Sequence, residues 1–137
     1  MNKLTITSEI KKPIHEVWNY LNNPEHITKW SFAHESWECP WAKNDLTVGG
    51  KLETRMQAKD RSFGFDFVGI YDEIKENENI KYHLEDGRQV EIILEKLSDN
   101  KTKITENFDP ESQNPIEMQQ QGWQAILDNL KKYSESI

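Results

Sequence analysis

The chain has 137 residues, with 24 acidic against 17 basic side chains and a formal net charge of −7. This length predicts one domain over residues 1–137, because a chain of this size buries a single core. The acidic balance excludes nucleic acid as a partner, since binding to phosphates needs a basic surface, and the single cysteine, Cys39, excludes an internal disulfide.

The first third of the chain predicts a strand followed by two short helices. Residues 4–10 alternate apolar with polar side chains, which is typical of a half-buried strand. Pro13 suits the first turn of a helix, and apolar residues then recur at helical spacing over residues 14–21. The sequence Asn22-Asn23-Pro24 ends that helix. A second short helix is expected over residues 25–30.

Residues 31–50 show no regular period and are rich in aromatic side chains. Trp37 and Trp41 lie here, together with Cys39, and the segment ends in Gly49-Gly50. Irregular aromatic segments of this kind often cover binding sites. We therefore expect a flap over a site. The two glycines precede a strand rather than a helix, so they do not form a phosphate-binding loop.

The middle of the chain predicts an antiparallel meander. Period-two alternation marks successive strands, which contain residues 52–58, 63–71, 80–84, 90–94 and 102–108. Short turns separate them, and Asp86-Gly87 is a favoured hairpin turn. Consecutive hairpins form an antiparallel sheet that can face water on one side.

A long C-terminal helix follows a loop at residues 109–115. Residues 123, 126, 127 and 130 have the i, i+3, i+4, i+7 spacing of a face that packs on a core. Gly122 lies inside this helix, where it predicts close packing against another backbone. With the meander, the helix predicts an α+β fold.

Glu106 is the ionisable residue with the most unusual predicted position. It shares the strand phase of Thr102, Ile104 and Phe108, which should face inward. A buried carboxylate needs a partner, water or a raised pKa. Three interpretations stay open: a residue turned out to solvent at a strand edge, a polar anchor facing Gln119 or Gln120, or a general acid/base.

The sequence predicts no metal site and no cofactor. The four histidines are scattered without ligand spacing; His15, His26 and His83 are expected to be exposed, and His34 could line a pocket. With one cysteine and no apolar run of about 20 residues, we expect a cytoplasmic protein that does not insert into membranes.

Five segments, in this order, resemble the START-like (SRPBCC, Bet v 1-like) superfamily, and more closely its branch named after the activator of heat-shock protein 90 ATPase (AHSA). They are residues 14–18, 24–30, 48–52, 69–74 and 121–127. The resemblance implies a helix-grip fold, in which a curved antiparallel sheet wraps around the C-terminal helix. It also implies a cavity between sheet and helix for lipids, polyketides or other hydrophobic molecules.

The main functional prediction is therefore non-catalytic binding of a small apolar or aromatic molecule, such as a lipid, polyketide or flavonoid-like compound. The expected site combines aromatic walls with polar anchors: Trp30, Trp37, Trp41, Met56, Phe65, Phe67, Tyr82, Glu106, Gln119 and Trp123.

Two alternatives belong to other classes. One is an enzyme of the polyketide cyclase or aromatase kind, with Glu106 or His34 as acid/base. The other is an interaction module related to chaperones or stress, in which the flap tryptophans form a docking patch. Homodimer formation through an exposed sheet edge is compatible with the latter.

Overall fold

The computed structural model describes residues 3–137. Met1 and Asn2, which the domain prediction includes, lie outside the described residues. The elements, in chain order, are β1 (Leu4–Ile10), α1 (Ile14–Asn22), α2 (Pro24–Trp30), β2 (Trp37–Glu38), β3 (Ala42–Asn44), β4 (Lys51–Ala58), β5 (Gly64–Lys75), β6 (Asn79–Leu84), β7 (Gln89–Ser98), β8 (Lys101–Phe108) and α3 (Ile116–Glu135).

The strands form one antiparallel sheet in the order β1-β8-β7-β6-β5-β4-β2, and β3 also pairs with β4. Strands β4 to β8 are a meander, because each pairs with the next along the chain. Strand β1 pairs with β8 and places the N-terminal segment at one edge. Helix α3 packs along β1 and faces the inner side of the sheet. The predicted α+β helix-grip fold, with two short helices after the first strand, is confirmed.

The junction between α1 and α2 follows from Asn23 and Pro24. A proline disfavours the helical conformation of the preceding residue, and Asn23 is extended with φ −74° and ψ 122°. The Asn23 side chain then accepts a hydrogen bond from the backbone N–H of Glu25 at 3.0 Å, which caps α2. The chain therefore turns sharply between two helices that share one buried face.

The turns of the meander follow the predicted chemistry, with one irregularity in β5. Gly87 adopts φ +94° in the hairpin between β6 and β7, a conformation that favours glycine. The pairing of β5 with β6 shifts between Tyr71 and Glu73. This bulge changes which residues face inward only beyond Tyr71, so the predicted inward phase of Phe65, Phe67 and Tyr71 holds.

Two predictions about local structure are wrong. Residues 31–50, expected to be irregular, contain the short strands β2 and β3 on the edge of β4. Gly122 does not pack against a backbone, because a Cβ at this position would meet no atom within 4 Å. Among residues 3–137, no helix has both the length and the apolarity that crossing a membrane requires.

The core is densely packed where β1 and β8 meet α1. Ile10, Val17 and Ile104 have no accessible surface. Thr102 is equally buried, and its hydroxyl donates to the Lys12 carbonyl at 2.8 Å. These side chains at this end of the sheet are therefore fully buried, and the Thr102 hydroxyl is satisfied.

Candidate ligand-binding cavity

A cavity of about 250 Å³ lies between the inner face of the sheet and α3. Strands β4 to β8 supply one wall, and α1, α2 and α3 supply the other. Most of the lining is apolar or aromatic. Phe65, half exposed, and Arg88, partly exposed, lie where the cavity meets solvent.

Seven of the ten predicted site residues line this cavity. They come from both walls: Trp30, Met56, Phe65, Phe67, Tyr82, Glu106 and Trp123. The strand members share the inward phase because side chains alternate between the faces of a sheet. Trp30 ends α2, where its indole N–H donates to the Tyr20 carbonyl at 2.9 Å and fixes the ring.

Trp37, Trp41 and Gln119 are not among the lining residues, which corrects the prediction. Trp37 pairs with Ala58 on the outer edge strand, and its ring approaches Phe65 at 6.2 Å between centroids. Trp41 is 39% exposed, with the Lys43 ammonium 5.6 Å from its ring. The edge strands β2 and β3 hold these two rings beside β4, so they do not reach over the cavity.

Gln119 is buried, but it stabilises the loop before α3 instead of facing the cavity. Its amide nitrogen donates to the carbonyls of Glu111 at 3.0 Å and Asn114 at 2.8 Å, and its amide oxygen accepts from the Glu111 N–H at 2.8 Å. Gln120 donates to the Thr5 carbonyl at 3.4 Å. Neither glutamine is the predicted partner of Glu106.

An aromatic cluster forms one wall of the cavity. Trp123 stacks on Phe108 with a centroid distance of 4.0 Å and an interplanar angle of 8°. Phe67 makes edge-to-face contacts with Trp123, at 6.2 Å between centroids, and with Tyr82, at 6.1 Å. Such offset and edge-to-face contacts fix ring orientations, so this wall is preformed.

Gly69 is a functional position that the sequence reasoning missed. A Cβ here would lie 2.6 Å from Cδ1 of Tyr82, so only glycine lets the Tyr82 ring lie against β5. The signal was visible in the sequence, because a glycine inside a strand often marks a close approach.

Glu106 faces the cavity from β8, between Ile6 on β1 and Ile92 on β7. Glu106 is half-buried and belongs to the lining of the cavity. Its carboxyl group makes no hydrogen bond to any of residues 3–137. Burial raises the pKa of Glu106 to about 7, because the charged form loses its hydration. The interpretation that it turns outward to solvent is therefore wrong.

Two hydroxyl groups of the wall are also free to bind a ligand. The Tyr82 hydroxyl has no hydrogen-bond partner within the described residues, and burial together with the nearby Glu106 charge raises the pKa of this phenol. The Thr54 hydroxyl is buried without a partner and belongs to the lining of the same cavity. An apolar cavity with a few polar groups is typical of a small-molecule site.

The remaining candidate groups lie elsewhere. His34 is exposed in the flap and contacts Ser36 at 2.8 Å, so it is not an acid/base of this cavity. His26 is half-buried rather than exposed, and its ring nitrogen lies 2.6 Å from the Tyr133 hydroxyl. Burial raises the pKa of the Cys39 thiol to about 11, which makes it a poor nucleophile. No cluster of metal-ligating side chains occurs within residues 3–137.

A curved antiparallel sheet closed by a long C-terminal helix over an apolar cavity defines the START-like class. Within it, the family model for "Activator of Hsp90 ATPase homolog 1-like protein" matches residues 11–135. The chain belongs to this family, as its sequence motifs indicated. The comparison with curated proteins gave no match.

Solved structures agree with this assignment. The chain is similar to an AHSA1-like protein of Aeromonas hydrophila, with 36% identity, a TM-score of 0.87, and coverage of 97% of this chain and 93% of that one. It is also similar to a protein of Cytophaga hutchinsonii, with 48% identity, a TM-score of 0.84, and coverage of 99% and 94%. A protein of Chromobacterium violaceum, 23% identical with a TM-score of 0.86 and coverage of 98% and 99%, shares the fold.

Proposed function

We propose that this protein binds a small, ring-containing apolar molecule in the cavity between the sheet and α3. The observation that carries the proposal is the unpaired Glu106 carboxyl inside a mostly apolar cavity. A buried carboxyl without a partner opposes folding. Its presence in the lining of the cavity is explained when a ligand supplies the missing hydrogen bond.

The size and shape of the cavity favour a flat molecule of modest length. An apolar cavity of about 150 Å³ holds benzene, so about 250 Å³ has room for about two fused rings. The wall formed by Phe67, Tyr82 and Trp123 offers aromatic faces and edges to such rings. Within the predicted ligand range, these features support small polyketide-like aromatics better than long-chain lipids.

Calorimetric titration with 2-naphthol tests the proposal, since this compound joins two fused rings to one hydroxyl group. We expect saturable 1:1 binding that Met56→Trp weakens at least about tenfold, because the added indole fills the cavity. Lys51→Trp is the matched control, since Lys51 lies on the exposed face of the same strand. It should leave the affinity within about twofold. Equal affinities for both variants and the wild type would place binding outside this cavity.

Acid–base catalysis on the bound ring is a second candidate, and the pKa of Glu106 near 7 is the observation that favours it. A carboxyl with this pKa can both accept and donate a proton at neutral pH. Turnover of a polyketide-like substrate should then vary with pH around 7 and disappear in Glu106→Gln, while that variant still binds 2-naphthol. Turnover that persists in Glu106→Gln excludes this role. Contact with a chaperone and homodimer formation stay predictions.

A further inference from the structure

We propose that the ligand carries an anionic group, which Arg88 binds at the mouth of the cavity while the rest of the molecule lies inside. This inference rests on the proposed function and specifies the ligand class: an aromatic carboxylate or a similar flat anion with a polar substituent at its far end.

Arg88 lies immediately before β7, on the inner side of the sheet. It has the same alternating phase as Val90 and Ile92, which are buried on the inner face. Its side chain lines the cavity and is 30% exposed. The aliphatic part of the side chain thus covers apolar wall while the guanidinium reaches the solvent boundary. Arg88 is the one cationic side chain among the described lining residues.

Asp86 holds the Arg88 guanidinium in one orientation. Asp86 accepts from Nε of Arg88 at 2.8 Å, and its other oxygen accepts from the Arg88 backbone N–H at 3.1 Å. The turn therefore fixes one edge of the guanidinium. The two terminal nitrogens make no hydrogen bond within residues 3–137, and together they form the planar fork that binds carboxylates with two parallel bonds.

The charged side chains of the lining are separated along the cavity wall. Among the described lining residues, the charged ones are Glu106 and Arg88. Glu106 pairs with Ile92, four residues beyond Arg88 along β7, which is about 13 Å along the strand direction. Ionised Glu106 repels an anion at the inner end, so the anionic group of a ligand must face outward, toward Arg88.

This arrangement also predicts how the anion is attracted. The chain carries a net charge of −7, and Asp86 offsets the charge of Arg88 at close range. Long-range attraction is therefore weak, and the gain comes from direct hydrogen bonds to the fork. A charge-assisted pair of this kind contributes about 1.5–3 kcal/mol, which corresponds to an affinity change of roughly 10- to 100-fold.

The test compares 6-hydroxy-2-naphthoate with 2-naphthol, by calorimetry at about 0.1 M salt. Wild-type protein should bind the carboxylate at least about tenfold more tightly than 2-naphthol. Arg88→Gln should remove this preference, so that the variant binds the two compounds with affinities within about twofold of each other. Arg55→Gln is the matched control, because Arg55 pairs with Asp66 and does not line the cavity. It should keep the preference.

The outcomes separate this inference from the proposed function. If wild-type protein binds 2-naphthol and gains nothing from the carboxylate, or if Arg88→Gln retains the preference, the role of Arg88 is refuted and the cavity still binds ligands. If neither compound binds the wild type, the proposed function fails, and the inference fails with it. Circular dichroism of Arg88→Gln confirms that a loss of preference is not a loss of fold.

Discussion

The two ends of this sheet contain similar side chains but are packed differently. Where β1 and β8 meet α1, Ile10, Val17 and Ile104 are fully buried, and the Thr102 hydroxyl is hydrogen-bonded. Between β4 to β8 and α3, equally apolar residues surround about 250 Å³ of space. There the polar groups of Glu106 and Thr54 have no partner within the described residues. One end contributes stability, and the other gives up stability to keep a cavity.

The largest difference between the two ends should appear on truncation to alanine. Ile104→Ala removes a fully buried side chain from the packed end and should lower the free energy of unfolding by about 2–5 kcal/mol. Met56→Ala should cost about 1 kcal/mol or less, since Met56 is half-buried and borders existing space. Urea denaturation measures both. Equal losses would show that the cavity end is packed as tightly as the other.

Glu106→Gln should stabilise the protein at alkaline pH. The folded pKa of Glu106, about 7, lies above its usual value of 4.5. The folded state therefore binds more protons between these values, and its stability falls as pH rises through this window. At pH 8 the variant should be more stable than the wild type by about 3 kcal/mol, and near pH 4 by almost nothing.

Thermal unfolding of both proteins from pH 4 to pH 8 checks this prediction. The Tyr82 phenol lies near Glu106, and its raised pKa lies outside this range. A stability difference that does not change with pH would mean that Glu106 is hydrated in the folded protein.

Gly69→Ala should weaken both the fold and ligand binding in the cavity. Its methyl group would lie 2.6 Å from the Tyr82 ring, and the ring must then move into the cavity. Strain of this kind costs about 1–3 kcal/mol, and 2-naphthol should bind at least about tenfold more weakly. Chemical denaturation and calorimetry give the two values. Unchanged binding would show that the position of Tyr82 does not limit the cavity.

Gly122→Ala should have the smallest effect, and it should stabilise the protein rather than destabilise it. A Cβ at residue 122 meets no atom within 4 Å, so alanine adds helix propensity without a clash. The free energy of unfolding should rise by about 0.5–1 kcal/mol, measured by urea denaturation. A destabilised variant would indicate close packing at Gly122, as the sequence first predicted.

The sequence predicted the regular parts of this molecule well, because period-two and helical spacing depend on local geometry. The inward phase of Glu106 and the buried face of α3 both followed from it. Residues 31–50 carry no period, so the short edge strands that hold Trp37 and Trp41 away from the cavity were not predictable. The prediction that Gln119 faces the cavity failed for another reason. Its amide hydrogen-bonds to backbone groups of a loop whose conformation the sequence did not reveal.

The most direct test of the account uses the indole N–H signals of the five tryptophans in a ¹H–¹⁵N NMR titration with 2-naphthol. Trp30 and Trp123 line the cavity, whereas Trp18 and Trp41 do not. If 2-naphthol binds in the cavity, the Trp30 and Trp123 signals should show saturable shifts, and the Trp18 and Trp41 signals should stay unchanged. Shifts confined to Trp41, or no shift at any tryptophan, would contradict binding in the cavity between sheet and helix.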